Sequence, residues 1–149
     1  MAVARPLLGI LLVAMAVGQL SDLGGFVDIV ATYQIGGNAM AWVLAVGLIV
    51  AELASGLGLL VPTQPARRRQ AATAALVVAA AWTTLAVQAF ARGLVVPNCG
   101  CFGVHLGQEL RWWVLLEDVE FLVLALWVRH GEVHRRSLPT TSARAVPSP

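Results

Sequence analysis

Apolar residues run along the chain in four long stretches that short polar connections separate. The stretches cover about residues 6–26, 40–61, 71–91 and 112–129. Each is close to the roughly 17 to 25 residues that a helix needs to cross the hydrocarbon core of a bilayer. The pattern predicts an all-α fold, an integral membrane four-helix bundle that forms a single transmembrane domain over residues 1–130.

The overall composition agrees with a membrane location. Of the 149 residues, 58% are hydrophobic and only 12% are charged. A soluble domain of this size has too little interior to cover so much apolar surface, whereas a bilayer accepts it. The lipid bilayer is therefore a predicted partner. Nucleic-acid binding is not expected, because the arginines stand at the ends of the apolar stretches and form no continuous basic surface.

The arginines also predict an orientation, because positively charged residues favour the cytoplasmic side of a membrane. Two of the five connections and ends hold only Arg92 and Arg111. We therefore expect a multi-pass protein of the cell (inner or plasma) membrane with both termini in the cytoplasm. The connection between the third and fourth helices then faces outside. The arginines assigned to the cytoplasmic side are Arg5, Arg67, Arg68, Arg69, Arg129, Arg135 and Arg136.

The two ends of the chain carry further signals. Arg5 followed by a short apolar run and small residues also fits a cleavable signal peptide. The continuation of this run as far as Phe26 favours a helix that is retained. Residues 131–149 become rich in Ser, Thr, Pro and Ala. This composition predicts a disordered cytoplasmic tail.

Candidate chemistry lies in the connection between the third and fourth helices, where both cysteines of the chain occur. Cys99 and Cys101 are separated only by Gly100. In an extended chain their Cα atoms are up to about 7 Å apart, and a disulfide needs roughly 4.4 to 6.8 Å. Glycine is the residue that bends most easily to close that gap, and Gly103 limits the turn on its other side. Reversible disulfide chemistry at an oxidising membrane surface is therefore the leading hypothesis.

Three cationic side chains are candidates to tune this pair. A thiolate is favoured by nearby positive charge, and Arg92, Arg111 and His105 all lie close in sequence. Which thiol reacts first is left open by the spacing. Two alternatives remain for the cysteines: a copper or zinc site that adds His105 as a ligand, and a purely structural disulfide. Phe102 is expected to anchor the loop on the bundle or the membrane.

Acidic residues within the apolar stretches are further candidates. Glu52 lies in the middle of the second stretch, where a carboxyl group is costly and is by default functional or paired. It either handles protons or forms a structural hydrogen bond with Gln88 or Gln19. The fourth stretch carries three more acidic residues, at Glu117, Asp118 and Glu120. Their roles are left open.

Two segments resemble a known family. Arg92-Gly93 followed by the sequence NCGCFG at residues 98–103 is similar to the signature of the methylamine-utilisation MauE family, within the wider DoxX-like group of four-helix membrane proteins. The segment ELASGLGLL at residues 52–60 also resembles that family's pattern. The resemblance extends over about residues 6–128. Two departures are Ser21, where relatives often carry lysine, and the acidic pair Glu117 and Asp118, where they tend to carry basic or amide residues.

The resemblance implies a membrane protein that works with an extracytoplasmic thioredoxin-like partner to form disulfides in, or to mature, exported proteins. Methylamine metabolism is the context of the founding family. Cys99 and Cys101 would then be the reacting pair of a thiol–disulfide oxidoreductase component, with Gly100, Phe102, Gly103, Arg92, His105 and Glu52 in support. No cofactor is firmly implied, and a quinone is left open. The alternatives are a non-enzymatic assembly scaffold and a copper- or zinc-handling membrane protein.

Overall fold

The computed structural model describes residues 3–61 and 64–134, and this part of the chain folds into five α-helices with no strand. The all-α prediction is therefore confirmed. The number of helices differs from the predicted four. The helices are α1 (Ala4–Leu20), α2 (Leu23–Thr32), α3 (Asn38–Leu60), α4 (Pro65–Ala91) and α5 (Trp112–His134).

The extra helix arises because the predicted first helix, residues 6–26, is broken near its end. α1 ends at Leu20, and α2 starts at Leu23 at an angle of 101° to it. Asp22 caps α2, since its Oδ1 accepts a hydrogen bond of 2.9 Å from the backbone N–H of Gly25. An aspartate that satisfies a free N–H in this way favours a new helix start over continuation of the old helix.

The other helices extend beyond their predicted bounds. α4 begins with a proline at its first turn, where the missing N–H costs no hydrogen bond. Arg67, Arg68 and Arg69 therefore lie on the helix, which was predicted to begin only at residue 71. α5 continues to His134, four residues beyond the predicted bundle. The remainder of the predicted tail lies outside the described residues.

The four long helices pack in the order of the chain. α1 packs on α3, α3 on α4 and α4 on α5, while α2 lies across one end of α3. The α1–α3 contact is close because Gly9 and Gly56 face each other. A Cβ atom on Gly56 would lie 2.9 Å from the carbonyl oxygen of Gly9. Small residues at a helix crossing let the backbones approach where lipid removes the hydrophobic drive for association.

The helices are long and apolar enough for a membrane protein. Among the described residues, α3 and α4 each have the length and composition of a span, and the bent pair α1–α2 makes a third if it is counted as one. α5 is as long as α3 but falls outside this group, because Glu117, Asp118 and Glu120 lie in its first half. Its exposed side chains are nevertheless largely apolar, among them Trp112, Leu116, Val119, Val123 and Trp127.

Candidate functional site

The cysteine pair lies in the loop that joins α4 to α5. Two backbone hydrogen bonds fold this loop back on itself. Cys99 N–H donates to the carbonyl of Gln108 at 2.7 Å, and Leu110 N–H donates to that of Val96 at 2.9 Å. The fold carries the loop over the end of the bundle, so that Cys99 is only 5% exposed and Cys101 is partly buried.

The two sulfur atoms are within reach of each other. Both cysteines are free thiols, and their Sγ atoms are 3.4 Å apart. A disulfide bond of about 2.05 Å therefore requires a movement of only about 1.4 Å. Gly100 makes the turn with φ of +84°, a conformation that side-chain-bearing residues rarely adopt. A Cβ atom there would also lie 2.9 Å from Cγ2 of Ile29.

Asn98 fixes the shape of the turn from inside. Its Oδ1 accepts a hydrogen bond of 2.9 Å from Gly100 N–H, and its Nδ2 donates one of 3.0 Å to the carbonyl of Gly103. The N–H of Gly103 donates in turn to the carbonyl of Gly100 at 2.9 Å. Gly103 also has a positive φ, +67°, and lies against Gly18 of α1. The turn is therefore held by hydrogen bonds among its own residues, in addition to its contact with α1.

Side chains from the helices then hold both cysteine carbonyls. The Tyr33 hydroxyl, at the end of α2, donates a hydrogen bond of 2.8 Å to the carbonyl of Cys99. Gln19, near the end of α1, donates one of 3.2 Å to the carbonyl of Cys101. Gln88 of α4 supports Tyr33 by donating to its carbonyl at 3.0 Å. Burial raises the pKa of Tyr33 above its usual value, so its hydroxyl stays protonated and remains a donor at physiological pH.

Glu52 is joined to this loop through Gln19. Its Oε1 accepts hydrogen bonds from Trp82 Nε1 at 2.7 Å and from Gln19 Nε2 at 3.3 Å. The same Gln19 nitrogen contacts Cys101, so the amide connects the carboxyl group in α3 to the dithiol loop. Both Glu52 and Gln19 have no exposed surface. Of the two predicted partners of Glu52, Gln19 is the one in contact, while Gln88 bonds to Tyr33.

The two thiols differ in their pKa. The hydrogen bond between the sulfurs lowers the pKa of Cys99 to about 7, although burial acts in the opposite direction. The same bond, together with burial and the negative charge of Asp118, raises the pKa of Cys101. At neutral pH, Cys99 is therefore about half thiolate and Cys101 is a thiol. This difference in pKa favours Cys99 over Cys101 as the thiolate.

The cationic side chains predicted to tune the thiolate make other contacts. Arg92 donates to the carbonyl of Gln34 at 3.2 Å and to Gln88 Oε1 at 3.0 Å. His105 Nε2 is 2.6 Å from the hydroxyl of Ser21. Arg92 and His105 thus anchor the loop and the end of α4 to the α1–α2 region. The low pKa of Cys99 comes from its partner sulfur and not from an adjacent cation.

Arg111, the third cation considered, also points elsewhere. It pairs with Glu109 at 2.7 Å and lies over the ring of Trp113. Phe102 is half-buried and packs on the hydrophobic core, with its backbone against Gly18. As for a metal site, residues 3–61 and 64–134 contain no group of three or more His, Cys, Asp or Glu side chains with suitable placement.

A cavity of about 430 Å³ opens beside the dithiol. Both cysteines line it, together with Asp118 and Glu117 from α5. The remaining walls are mainly apolar and come from α1, α5 and the loop: Leu11, Met15, Phe102, Leu106, Val114 and Phe121. Of the three acidic residues in the predicted fourth stretch, Glu117 and Asp118 line this cavity, and Glu120 is not part of its lining.

Three residues of the site were missed by the sequence patterns. Tyr33 and Trp82 lie far from the cysteines in sequence, and only folding brings them near. Trp82 carried a weak signal, because tryptophan is usual at membrane interfaces and this one lies in the middle of a span. Asn98 carried a stronger one, since asparagine two residues before a glycine commonly orders a turn through its side chain.

Comparisons with known proteins identify a family for the chain. Residues 1–130 match the family model described as methylamine utilisation protein MauE. The chain is 32% identical over 127 residues to methylamine utilization protein MauE of Paracoccus denitrificans, an alignment that covers 85% of this chain and 67% of that relative. No solved structure matches the chain.

Proposed function

The chain belongs to the MauE family of methylamine utilisation proteins, and on that premise we propose that it is a membrane thiol–disulfide exchange protein. Cys99 and Cys101 form its reacting pair, and a thioredoxin-like protein is its partner. The observation that carries the proposal is the 3.4 Å distance between two free sulfurs, one of which has a pKa of about 7. A purely structural role needs neither a free pair nor a low pKa.

The exchange proceeds in two balanced steps. The Cys99 thiolate attacks one sulfur of the partner's disulfide, forming a mixed disulfide and releasing the other partner sulfur as a thiolate. Cys101 then loses its proton and attacks Sγ of Cys99, which closes the Cys99–Cys101 disulfide and releases the reduced partner. The same steps in reverse oxidise the partner's dithiol. The surrounding hydrogen bonds keep the loop in place while only the sulfurs move.

The fixed loop explains how so short a ring can open and close. Tyr33 and Gln19 hold the two cysteine carbonyls, while Gly100 supplies the bend. A backbone that is already curved loses little further freedom when the disulfide forms. This supports a pair that cycles between the two states.

The proposed setting is the outer face of the cell membrane, with the dithiol loop outside and both termini in the cytoplasm. The arginine distribution supports this orientation. The partner's client is an exported protein that needs its disulfides formed or matured, and methylamine utilisation is the pathway named for the relatives. Electron flow in either direction is compatible with the chemistry.

Trapping of a mixed disulfide tests the proposal. In Cys101→Ser the resolving thiol is missing, so a thioredoxin-like protein added in its oxidised form should remain attached through Cys99. Cys99→Ser should trap less, because burial and the nearby Asp118 still disfavour the Cys101 thiolate after the bond to Cys99 is lost. The double variant is the control and should trap nothing. If both single variants trap nothing and the wild type leaves the partner's redox state unchanged, the exchange proposal is wrong and an assembly scaffold becomes the better account.

A further inference from the structure

The cavity beside the dithiol has the character of a binding site for a small apolar molecule. Its volume of about 430 Å³ falls within the range of roughly 300 to 1,000 Å³ that is usual for ligand sites. Leu11 and Met15 of α1 and Phe121 of α5 form apolar walls. Leu11 lies in the middle of α1, so the cavity extends from the loop towards the apolar part of the molecule.

The cavity also gives a small molecule a route to the reacting sulfur. Cys99 is 5% exposed, and the cavity is the space that adjoins it. Leu106 and Glu117 are exposed and mark the rim, whereas Val114 and Asp118 are buried deeper. A flat ring bound in the cavity would lie against a wall that both cysteines help to form.

Repeated exchange with a partner also requires that the electrons gained by the dithiol be passed on to another molecule. Each cycle that oxidises the partner leaves Cys99 and Cys101 reduced, and a second oxidant must accept two electrons before the next cycle. An oxidant that dissolves in the bilayer can enter an apolar cavity that carries the dithiol in its wall. Carboxyl groups next to the sulfurs provide sites through which protons can move.

We propose that this cavity binds a lipid-soluble quinone and that the Cys99–Cys101 dithiol reduces it to the quinol. This inference rests on the proposed function, because it uses the same dithiol. The two S–H bonds break and one S–S bond forms, so the pair loses two electrons and two protons. The two carbonyl oxygens of the quinone gain those electrons and protons as two O–H groups. No other reactant is needed.

Two carboxyl groups are placed to assist the proton transfer. Asp118 and Glu117 line the same cavity as the sulfurs, and Glu117 accepts hydrogen bonds of 3.2 Å from Gln108 Nε2. Either carboxylate can take a proton released from a thiol and return it to a carbonyl oxygen. Asp118 is the more buried of the two, and it is therefore the better protected from bulk solvent.

The test uses the full chain in lipid nanodiscs, reduced and freed of reductant, with decylubiquinone as the probe under anaerobic conditions. Two readouts are followed: absorbance of the quinone, and the mass of the Cys99–Cys101 peptide after alkylation. We expect one quinol per protein in a single turnover, and loss of two alkylation sites at the pair. An azido derivative of the probe should, on illumination, label peptides of α1 and α5, which reports binding independently of turnover.

A cavity-filling variant with a matched control locates the reaction. Leu11→Trp fills the cavity, whereas Ile10→Trp adds the same side chain at an exposed position of α1 that is not in the cavity wall. The rate of dithiol oxidation by decylubiquinone should fall about tenfold or more in Leu11→Trp, since tenfold corresponds to only ~1.4 kcal/mol of lost binding. Ile10→Trp should retain the wild-type rate.

The outcomes separate this inference from the proposed function. Oxidised thioredoxin is offered to the same reduced samples in parallel. If thioredoxin oxidises the dithiol but decylubiquinone does not, or if Leu11→Trp and Ile10→Trp react with the quinone equally fast, the quinone site is wrong and the exchange function stands. If photolabelling falls on helices other than α1 and α5, the cavity is not the site. If neither oxidant acts on the pair, the proposed function fails as well.

Discussion

The hydroxyl of Tyr33 donates a hydrogen bond of 2.8 Å to the carbonyl of Cys99, which joins the end of α2 to the dithiol loop. Tyr33 is the single tyrosine of the chain, and it is 1% exposed. The contact depends on the sharp bend between α1 and α2, because that bend turns α2 across the end of the bundle. The break in the first helix thus serves the site.

Removal of this hydroxyl should weaken the loop. Tyr33→Phe leaves the buried carbonyl of Cys99 without its partner, which costs about 1 to 3 kcal/mol. We expect a lower midpoint of thermal unfolding in detergent. We also expect a weaker disulfide, measured as the fraction oxidised in a glutathione redox buffer.

Thr84→Val is the matched control for Tyr33→Phe. Thr84 is exposed and donates its hydroxyl only to Ala80 of its own helix. Its loss should change stability by less than about 0.5 kcal/mol. Equal shifts in both variants would mean that the Tyr33 contact does not stabilise the loop.

The pH dependence of alkylation should identify Cys99 as the reactive thiol. Only the thiolate reacts, so the rate at Cys99 should rise with pH and reach half its maximum near the pKa of about 7. In Cys101→Ala the hydrogen bond that lowers this pKa is lost while burial remains. The half-maximal pH should then move upward, beyond the ordinary value of about 8.5.

The corresponding measurement follows iodoacetamide incorporation at each cysteine by peptide mass between pH 5 and 10. At pH 7 the rate at Cys99 should drop about tenfold or more in Cys101→Ala, as the thiolate fraction falls from one half to a few per cent. A half-maximal pH that is the same in both proteins would show that Cys101 does not set the pKa of Cys99.

The turn at Gly100 should not tolerate a side chain. Gly100→Ala combines a φ of +84° with a Cβ atom 2.9 Å from Ile29, and the strain alone is expected to cost about 1 to 3 kcal/mol. The Cys99–Cys101 disulfide should form much more slowly, as followed by alkylation after a diamide pulse. Gly93→Ala is the control: its φ is +65°, but nothing lies within 4 Å of the added atom. Equal losses in the two variants would assign the effect to general backbone strain.

Two substitutions at Glu52 separate a structural role from a proton-handling one. Glu52→Gln keeps an oxygen acceptor for the Trp82 and Gln19 donors, whereas Glu52→Leu leaves the Trp82 N–H unpaired at a cost of about 1 to 3 kcal/mol. If the residue is structural, Glu52→Gln should keep both the thermal midpoint and the exchange rate, and Glu52→Leu should lose stability. Loss of exchange in a Glu52→Gln protein of normal stability would instead assign the carboxyl group a role in proton transfer.

Those parts of the fold that depend on continuous apolar sequence could be predicted. α3 and α4 were expected from long, mainly apolar runs, and their central residues agree with the structure. The break between α1 and α2 was missed because the apolar composition continues through Leu23 and Phe26. The competing signal was local: Asp22 followed by two glycines offers a helix cap that hydrophobicity does not reveal.

The candidate site likewise has a part that the sequence predicts and a part that depends on how the helices pack. The closeness of Cys99 and Cys101 could be predicted, because it depends on neighbours in sequence and on the bend at Gly100. The contacts of Tyr33 with Cys99, and of Gln19 with Glu52 and Cys101, depend on how the helices are rotated about their axes. Adjacent positions on a helix point about 100° apart, so a small error in packing removes such contacts. The predicted influence of Arg92 and His105 rested on sequence proximity, which does not fix the direction of a side chain.

The most direct measurement of the central claim is the intact mass of the purified protein before and after mild oxidation. Diamide should lower the mass by the two hydrogens of one S–S bond and protect both cysteines from alkylation, and brief treatment with a reductant should restore both. Peptide mapping should place the bond between Cys99 and Cys101 within one chain. If the mass never changes by two hydrogens, or if the bond links two chains, the account of a reversible internal disulfide is contradicted.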